Sequence, residues 1–422
     1  MLLFQLTAEV EELKAARKEG GLEWCKRLLE RKRDEWENVP LNMAVIGTTG
    51  AGKSSFINAI RGLTAWAADV GTTETTMEPR SYPHPDNPML KFWELPGVGT
   101  DQFPRATYLT DIDVDRYDFF LLMTADHFTE SDTWLGKEIR KRNKKYFFVR
   151  TKIGGDILNS IKAHPKTHNE EAVIEEIRCS TEDQLRIYGS EDVPLFLIDN
   201  YEHSMFDFET LKQRLIEYFP KKKRTALMFS LRSTSEEMIK LKVAELQSRI
   251  MTLAALSSAK GAILIPGVSA AIDLGIIIPE AMFYFKQLGL DSESLHSYAN
   301  LHSVDCVKLQ SVSSDTLGIK LVDIDTVEGM KSILLVLLTR SAPVLAATRD
   351  FLPVIECLMV AAPLSFGGTY LALKLILDKF TEAALQVMKF AAGRADESDD
   401  VAAGGAEVPP SEDTKGAARY LD

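Results

Sequence analysis

Gly47, Gly50 and Gly52, followed by Lys53, Ser54 and Ser55, are the residues of this sequence best placed to do chemistry. From Gly47 to Ser54 the spacing fits G-x-x-x-x-G-K-(S/T) in full. Glycines let the backbone curl until its N–H groups face a polyphosphate. Lys53 can bring an ammonium to the β and γ phosphates, and Ser54 a hydroxyl to Mg²⁺. A helix beginning there adds its positive N-terminal end. The apolar stretch Met43–Ile46 precedes the run and Phe56–Arg61 follows it, which is strand, turn and helix in the required order. The plain alternative is a glycine-rich turn that binds nothing, and the flanking patterns argue against it.

A phosphate loop does not choose a base or complete a metal shell, so other segments must. Glu94-Leu-Pro-Gly97 occupies the place of D-x-x-G. There a strand-end carboxylate holds Mg²⁺ through water and the glycine N–H senses the γ-phosphate. Glu94 is one methylene longer than aspartate but still able to serve an outer-shell water. Thr76, in the run Gly71–Glu78, is the hydroxyl chosen to complete the Mg²⁺ shell from a switch loop. Lys53, Thr76 and Gly97 are thus the catalytic candidates.

Base choice is expected after the strand ending at Arg150. A guanine site uses (N/T)-K-x-D, in which the carboxylate accepts from N1–H and the 2-amino group while the lysine stem stacks on the base. Thr151 and Lys152 fit, Gly154 stands where the carboxylate belongs, and Asp156 is the nearest acid. Asp199 and Asn200 sit where a later loop meets guanine O6. Val98 follows Gly97 where a water-orienting glutamine would stand, so hydrolysis is either slow or completed by a partner surface.

The elements that must hold these residues follow from periodicity. Strands are predicted at Met43–Ile46, Leu90–Leu95, Phe119–Thr124, Lys145–Arg150 and Leu195–Ile198, with helical runs such as Glu170–Tyr188 between them. That alternation implies a mostly parallel sheet covered by helices. Residues 5–38 read as one or two amphipathic helices. Pro220-Lys-Lys-Lys-Arg224 reads as a solvated boundary, and beyond it the pattern is helical at 233–256 and 284–340. Segments Gly261–Phe285 and Phe351–Leu377 are unusually apolar. Asp273, Glu280, Glu356 and several prolines within them favour core helices or a peripheral membrane contact over a span. Residues 394–422, rich in Ala, Gly and acids, read as a disordered tail.

Across 422 residues the formal net charge is −12, which argues against nucleic acid as a partner. The basic run Lys137–Lys145 reads as a solvated helix face. Cys25, Cys179, Cys306 and Cys357 form no C-x-x-C, so neither zinc nor a disulfide framework is expected, and a reducing compartment is. The start lacks a signal-peptide pattern and a glycine for myristoylation, and no C-terminal prenylation motif stands at the end.

Several strings together resemble the immunity-related GTPases, an interferon-inducible, dynamin-like family, in its lysine P-loop branch. They are Glu74–Glu78, Tyr82–Pro85, Phe92–Gly99, Tyr117–Phe120, Tyr146–Lys152 and Tyr201–Phe208. The likeness covers the layout of roughly residues 1–390 and is most specific within 42–210. It departs from the family at Glu94 and Gly154, where the family has aspartate. The resemblance implies an α/β P-loop G domain (39–220) joined to an all-α domain built from both chain ends (1–38 and 221–393). It implies a GTPase with GTP or GDP as ligand and Mg²⁺ as cofactor. It also implies self-association across the nucleotide face, related GTPases as further partners, and a cytoplasmic protein peripherally attached to intracellular or pathogen-vacuole membranes in cell-autonomous defence. The rival expectation is a non-hydrolysing module that regulates related GTPases by dimerising with them.

Overall fold

The computed structural model describes residues 27–63, 78–99, 103–190, 192–202, 205–260, 274–319, 325–340 and 363–403, with a few isolated positions before residue 27. The apolar runs become β1 (Leu41–Gly47), β3 (Leu90–Leu95), β4 (Phe119–Thr124), β5 (Lys145–Arg150) and β6 (Leu195–Leu197), preceded at one edge by β2 (Arg80–Pro83). They form one sheet in the order β2-β3-β1-β4-β5-β6. All pairings are parallel except β2 with β3. Every residue of β4 is buried, as a parallel strand covered on both faces requires. β2 was not anticipated. It is short, mostly exposed and ends in Pro83, so it carries no apolar alternation and suits only a sheet edge.

Helices α1 (Lys53–Ile60), α2 (Glu130–Lys141), α3 (Ile153–Ala163), α4 (Glu170–Ile187) and α5 (Phe208–Tyr218) cover the sheet. One face buries Leu41, Met43, Val45, Phe119 and Val149 against Phe56 of α1 and Leu211 and Leu215 of α5. The other buries Ala44, Ile46, Phe120 and Phe148 against Leu135 and Ile139 of α2 and Leu185 of α4. The alternation of Met43 and Val45 against Ala44 and Ile46 is the strand period of two.

The remaining helices are α6 (Lys221–Ser230), α7 (Glu236–Lys260), α8 (Leu274–Gln287), α9 (Ser292–Leu301), α10 (Cys306–Leu317), α11 (Val327–Arg340) and α12 (Pro363–Ala403). Leu373, Ile376, Phe380, Ala384, Val387 and Ala391 recur along α12 at helical spacing and meet Leu246, Ile250 and Leu253 of α7. Leu29 and Trp36, from the N-terminal segment, are buried in the same cluster, so both chain ends build this all-α domain. Trp36 meets Phe229 edge-on at 5.5 Å between ring centroids.

The cluster at Pro220–Arg224 is mostly exposed, as its charges led one to expect, and starts α6. Two of its charges pair in different directions: Lys223 with Asp118 at 2.5 Å, ahead of β4, and Lys222 with Glu35. α6 itself has two allegiances. Ala226 and Phe229 belong to the helical core, while Leu227 and Met228 belong to the core beneath the sheet.

Glu280, the acid that weighed against a membrane span, is 4 % exposed. Arg249 holds both its oxygens, at 2.6 and 3.1 Å. The pairing keeps a carboxylate inside the domain core without leaving it uncompensated. Among the described residues no helix is long and apolar enough to cross a membrane. Asp273 and residues 351–362 lie outside the described residues. α12 continues past Arg394 to Ala403, into the segment expected to be disordered, because a helix already packed over several turns propagates at little cost into an alanine-containing stretch. Residues 404–422 lie outside the described residues.

Candidate nucleotide-binding site

All four candidate loops leave the C-terminal ends of parallel strands: 47–52 after β1, 94–99 at β3, 151–154 after β5 and 198–201 after β6. That edge of an open α/β sheet is where ligands bind.

The phosphate loop needs its glycines for different reasons. A Cβ at Gly47 would stand 2.3 Å from the Met123 carbonyl oxygen, because β1 and β4 run side by side there. Gly50 and Gly52 have φ of +82° and +80°, the left-handed region that other residues rarely adopt. Gly52 caps α1, whose first residue is Lys53. The Lys53 Nζ donates to the carbonyls of Gly47 at 3.0 Å and Thr48 at 3.2 Å, so the ammonium is held across the loop. Lys53 is 6 % exposed; burial lowers its pKa, and the Glu94 carboxylate 3.9 Å away opposes that shift.

Ser54 and Glu94 come together directly. The Ser54 hydroxyl lies 2.9 Å from each Glu94 carboxylate oxygen. The Tyr82 hydroxyl, from β2, donates to Glu94 Oε2 at 3.3 Å. The edge strand missed in the sequence therefore steadies the longer side chain at position 94. A hydroxyl and a carboxylate side by side fit Mg²⁺, which takes few protein ligands and keeps waters and phosphate oxygens for the rest. Among the described residues no group of three or more acidic, histidine or cysteine side chains could hold a metal ion. Gly97 abuts the phosphate loop: a Cβ there would lie 3.2 Å from the Gly47 carbonyl oxygen. Val98 is buried with Leu95, Tyr108 and Ile112. Ser55 is not drawn to this end. It lines a cleft with Asn58 and Arg232, toward the helical domain. Thr76 lies outside the described residues.

At the base end, fully buried Thr151 donates to the Ala51 carbonyl at 2.9 Å, tying this loop to the phosphate loop. Asn200 Nδ2 donates to the Gly52 carbonyl at 3.1 Å, a second tie. Lys152 is exposed, with φ of +62°, and its stem is available to stack. Asp156, the nearest acid in the sequence, lies in the first turn of α3. Its carboxylate is paired with Arg150 at 2.7 Å rather than held at the position of the missing acid. Residues two apart on a helix do not share a face, so Asp156 cannot inherit the direction of position 154. Burial raises the Asp156 pKa, the Arg150 guanidinium opposes it, and Asp126 and Asp199 add to the rise. Arg150 also donates to the carbonyls of Thr151 and Ala125. A charged residue closing the buried run Tyr146–Val149 was the signal that could have found Arg150. Tyr82 stood in one of the family-like strings, but nothing in the sequence marked it as a partner of Glu94.

The family profile described as Interferon-inducible GTPase matches residues 7–387. The chain belongs to the interferon-inducible GTPase family. Interferon-inducible GTPase 5 of Rattus norvegicus is 34 % identical over 385 residues, covering 90 % of this chain and 81 % of the relative. Interferon-gamma-inducible GTPase 10 of Mus musculus is 32 % identical over 391 residues, covering 90 % and 88 %. Interferon-inducible GTPase 1 of Mus musculus is 33 % identical over 317 residues, covering 74 % and 72 %. Membership of the interferon-inducible GTPases thus extends through the helical domain and is not confined to the phosphate loop.

Proposed function

We propose that this chain binds GTP with Mg²⁺ and hydrolyses it, in the manner for which its interferon-inducible relatives are named. The carrying observation is the convergence of Lys53, Ser54, Glu94 and Gly97 on one loop at the C-terminal edge of the sheet. Loop N–H groups and Lys53 would bind the β and γ phosphates, Ser54 would hold Mg²⁺ directly and Glu94 through water, and Thr76 is the further hydroxyl proposed for the metal. When bound, Mg²⁺ neutralises charge developing on the phosphates. Gly97 stands where its N–H reads the γ-phosphate.

Buried Val98 cannot itself orient an attacking water, which favours completion by a second molecule. Tyr201 and Met205, 65 % and 51 % exposed beside the base loop, offer apolar surface for self-association there. Membrane action is peripheral in this reading, through many weak contacts of the self-associated state. The test is GTP turnover against protein concentration. Hydrolysis per molecule is expected to rise across two decades of concentration. A flat, non-zero specific activity would mean that one chain carries a complete site. No turnover at any concentration would favour a regulatory module that dimerises with related GTPases.

A further inference from the structure

The site has a gap at position 154 and an unexplained buried acid facing it. Gly154 stands in the first turn of α3 with no side chain, and its N–H donates to Asp199 Oδ2 at 3.2 Å. Asp199 Oδ1 accepts from the Tyr201 N–H at 2.9 Å. The carboxylate is 9 % exposed, with each oxygen fixed by one backbone donor. A carboxylate has about four acceptor positions, so capacity remains on both oxygens. The ends of α3 and β6 are held together next to it, Ile153 N–H donating to the Ile198 carbonyl at 3.4 Å. Asp199 therefore sits within one hydrogen bond of the backbone position from which a base-reading acid would project.

We infer that Asp199 reads the guanine edge in place of the absent acid at 154: its carboxylate accepts from N1–H and the 2-amino group, while the Lys152 stem covers the ring. The inference rests on the GTP-binding reading above. Asp156 is excluded from that role by its ion pair with Arg150 and by its place on another face of α3. A purely structural Asp199, capping α3 and nothing more, is the competing account. It is separable, because a capping acid has no preference among bases.

The experiment is calorimetric titration of the full chain with GTP, inosine triphosphate and xanthosine triphosphate, each with Mg²⁺. Inosine lacks the 2-amino donor, and xanthine carries a carbonyl in its place. The wild-type chain is expected to prefer GTP over both by about tenfold or more, the scale of a lost hydrogen bond to a charged group. Asp199→Asn should invert the ranking of GTP and xanthosine triphosphate, whereas Asp156→Asn should keep the wild-type ranking. Asp199→Ser, which keeps an acceptor near the Gly154 N–H but offers no carboxylate, should bring the preference for GTP over inosine triphosphate close to unity, and a folded Asp199→Ser chain that keeps the wild-type margin overturns the assignment; it decides the question if Asp199→Asn fails to fold by circular dichroism. A folded Asp199→Asn chain that keeps the wild-type margin, or loses all three ligands equally, overturns the assignment, as does inversion by Asp156→Asn. A wild-type chain that binds all three alike overturns it while sparing the phosphate site. A wild-type chain that binds none removes the nucleotide reading, and the assignment with it.

Discussion

The phosphate end and the base end of this site are built by opposite strategies. At the phosphate end one contiguous run, Gly47–Ser54, supplies the loop, the cation and the hydroxyl, and a single distant acid, Glu94, meets it. At the base end nothing is contiguous: Thr151 ties to Ala51, Asn200 to Gly52, and Asp199 to Gly154 across different loops. A contiguous motif holds its geometry through local backbone conformation, as the left-handed Gly50 and Gly52 show. A dispersed one holds it only through tertiary hydrogen bonds, which lets an acid be lost from one loop while another lies within reach on its neighbour.

Lys53→Ala attacks the contiguous end and should have the largest effect. Loss of the buried ammonium should weaken GTP by roughly 100-fold, since hydrogen bonds to charged groups contribute about 1.5–3 kcal/mol each and Lys53 can make more than one. Circular dichroism should remain native, because Lys53 bonds only loop carbonyls and faces Glu94. Unchanged affinity would remove the phosphate-loop reading and dissolve the contrast.

Ser54→Ala tests whether metal and phosphate belong to the same end. The Mg²⁺ concentration for half-maximal GTP binding should rise by about tenfold, the worth of one hydroxyl contact near charge. Glu94 keeps Tyr82 and Lys53 as neighbours, so the fold should be unaffected. An unaltered Mg²⁺ dependence would place the metal elsewhere.

Acid should reach the phosphate end through its buttress. His84 follows β2, the strand that carries Tyr82 to Glu94, and is 2 % exposed. Its Nδ1 accepts from the Asp86 N–H at 3.2 Å, which requires a neutral ring. Burial pushes the imidazole down to about 4; Asp86 opposes this, while Arg61, Arg232 and Lys242 reinforce it. With the folded pKa below the unfolded value near 6.5, this contribution is whole above about pH 6.5 and is lost as pH falls toward 4. Thermal or denaturant unfolding should show about 1 kcal/mol lost from this group by pH 5.5. His84→Gln should flatten that slope. An unchanged slope would assign the acid sensitivity to other groups.

How much of this was legible in the sequence follows the same division. Five of the six strands and the whole phosphate loop could be read off, because local periodicity and spacing carry them. The placement of Asp156 could not, since Arg150 claims it only once β5 and α3 are folded against each other. Nor could the bond from Gly154 to Asp199, whose partners belong to separate βα units. β2 escaped because an exposed edge strand ending in proline has no apolar face to betray it. The segment after Pro220 read as a solvated boundary from its charges, yet its salt bridges with Glu35 and Asp118 depend on elements far away in the chain.

α6 bears on how the two domains communicate. Its opposite faces are committed to different cores, and its first turn is pinned by charge to both sides. Such a rod has no free swivel: turning it in one core would unseat it from the other. Heat should therefore melt the two domains in a single calorimetric transition, because neither core can lose this shared rod and stay intact.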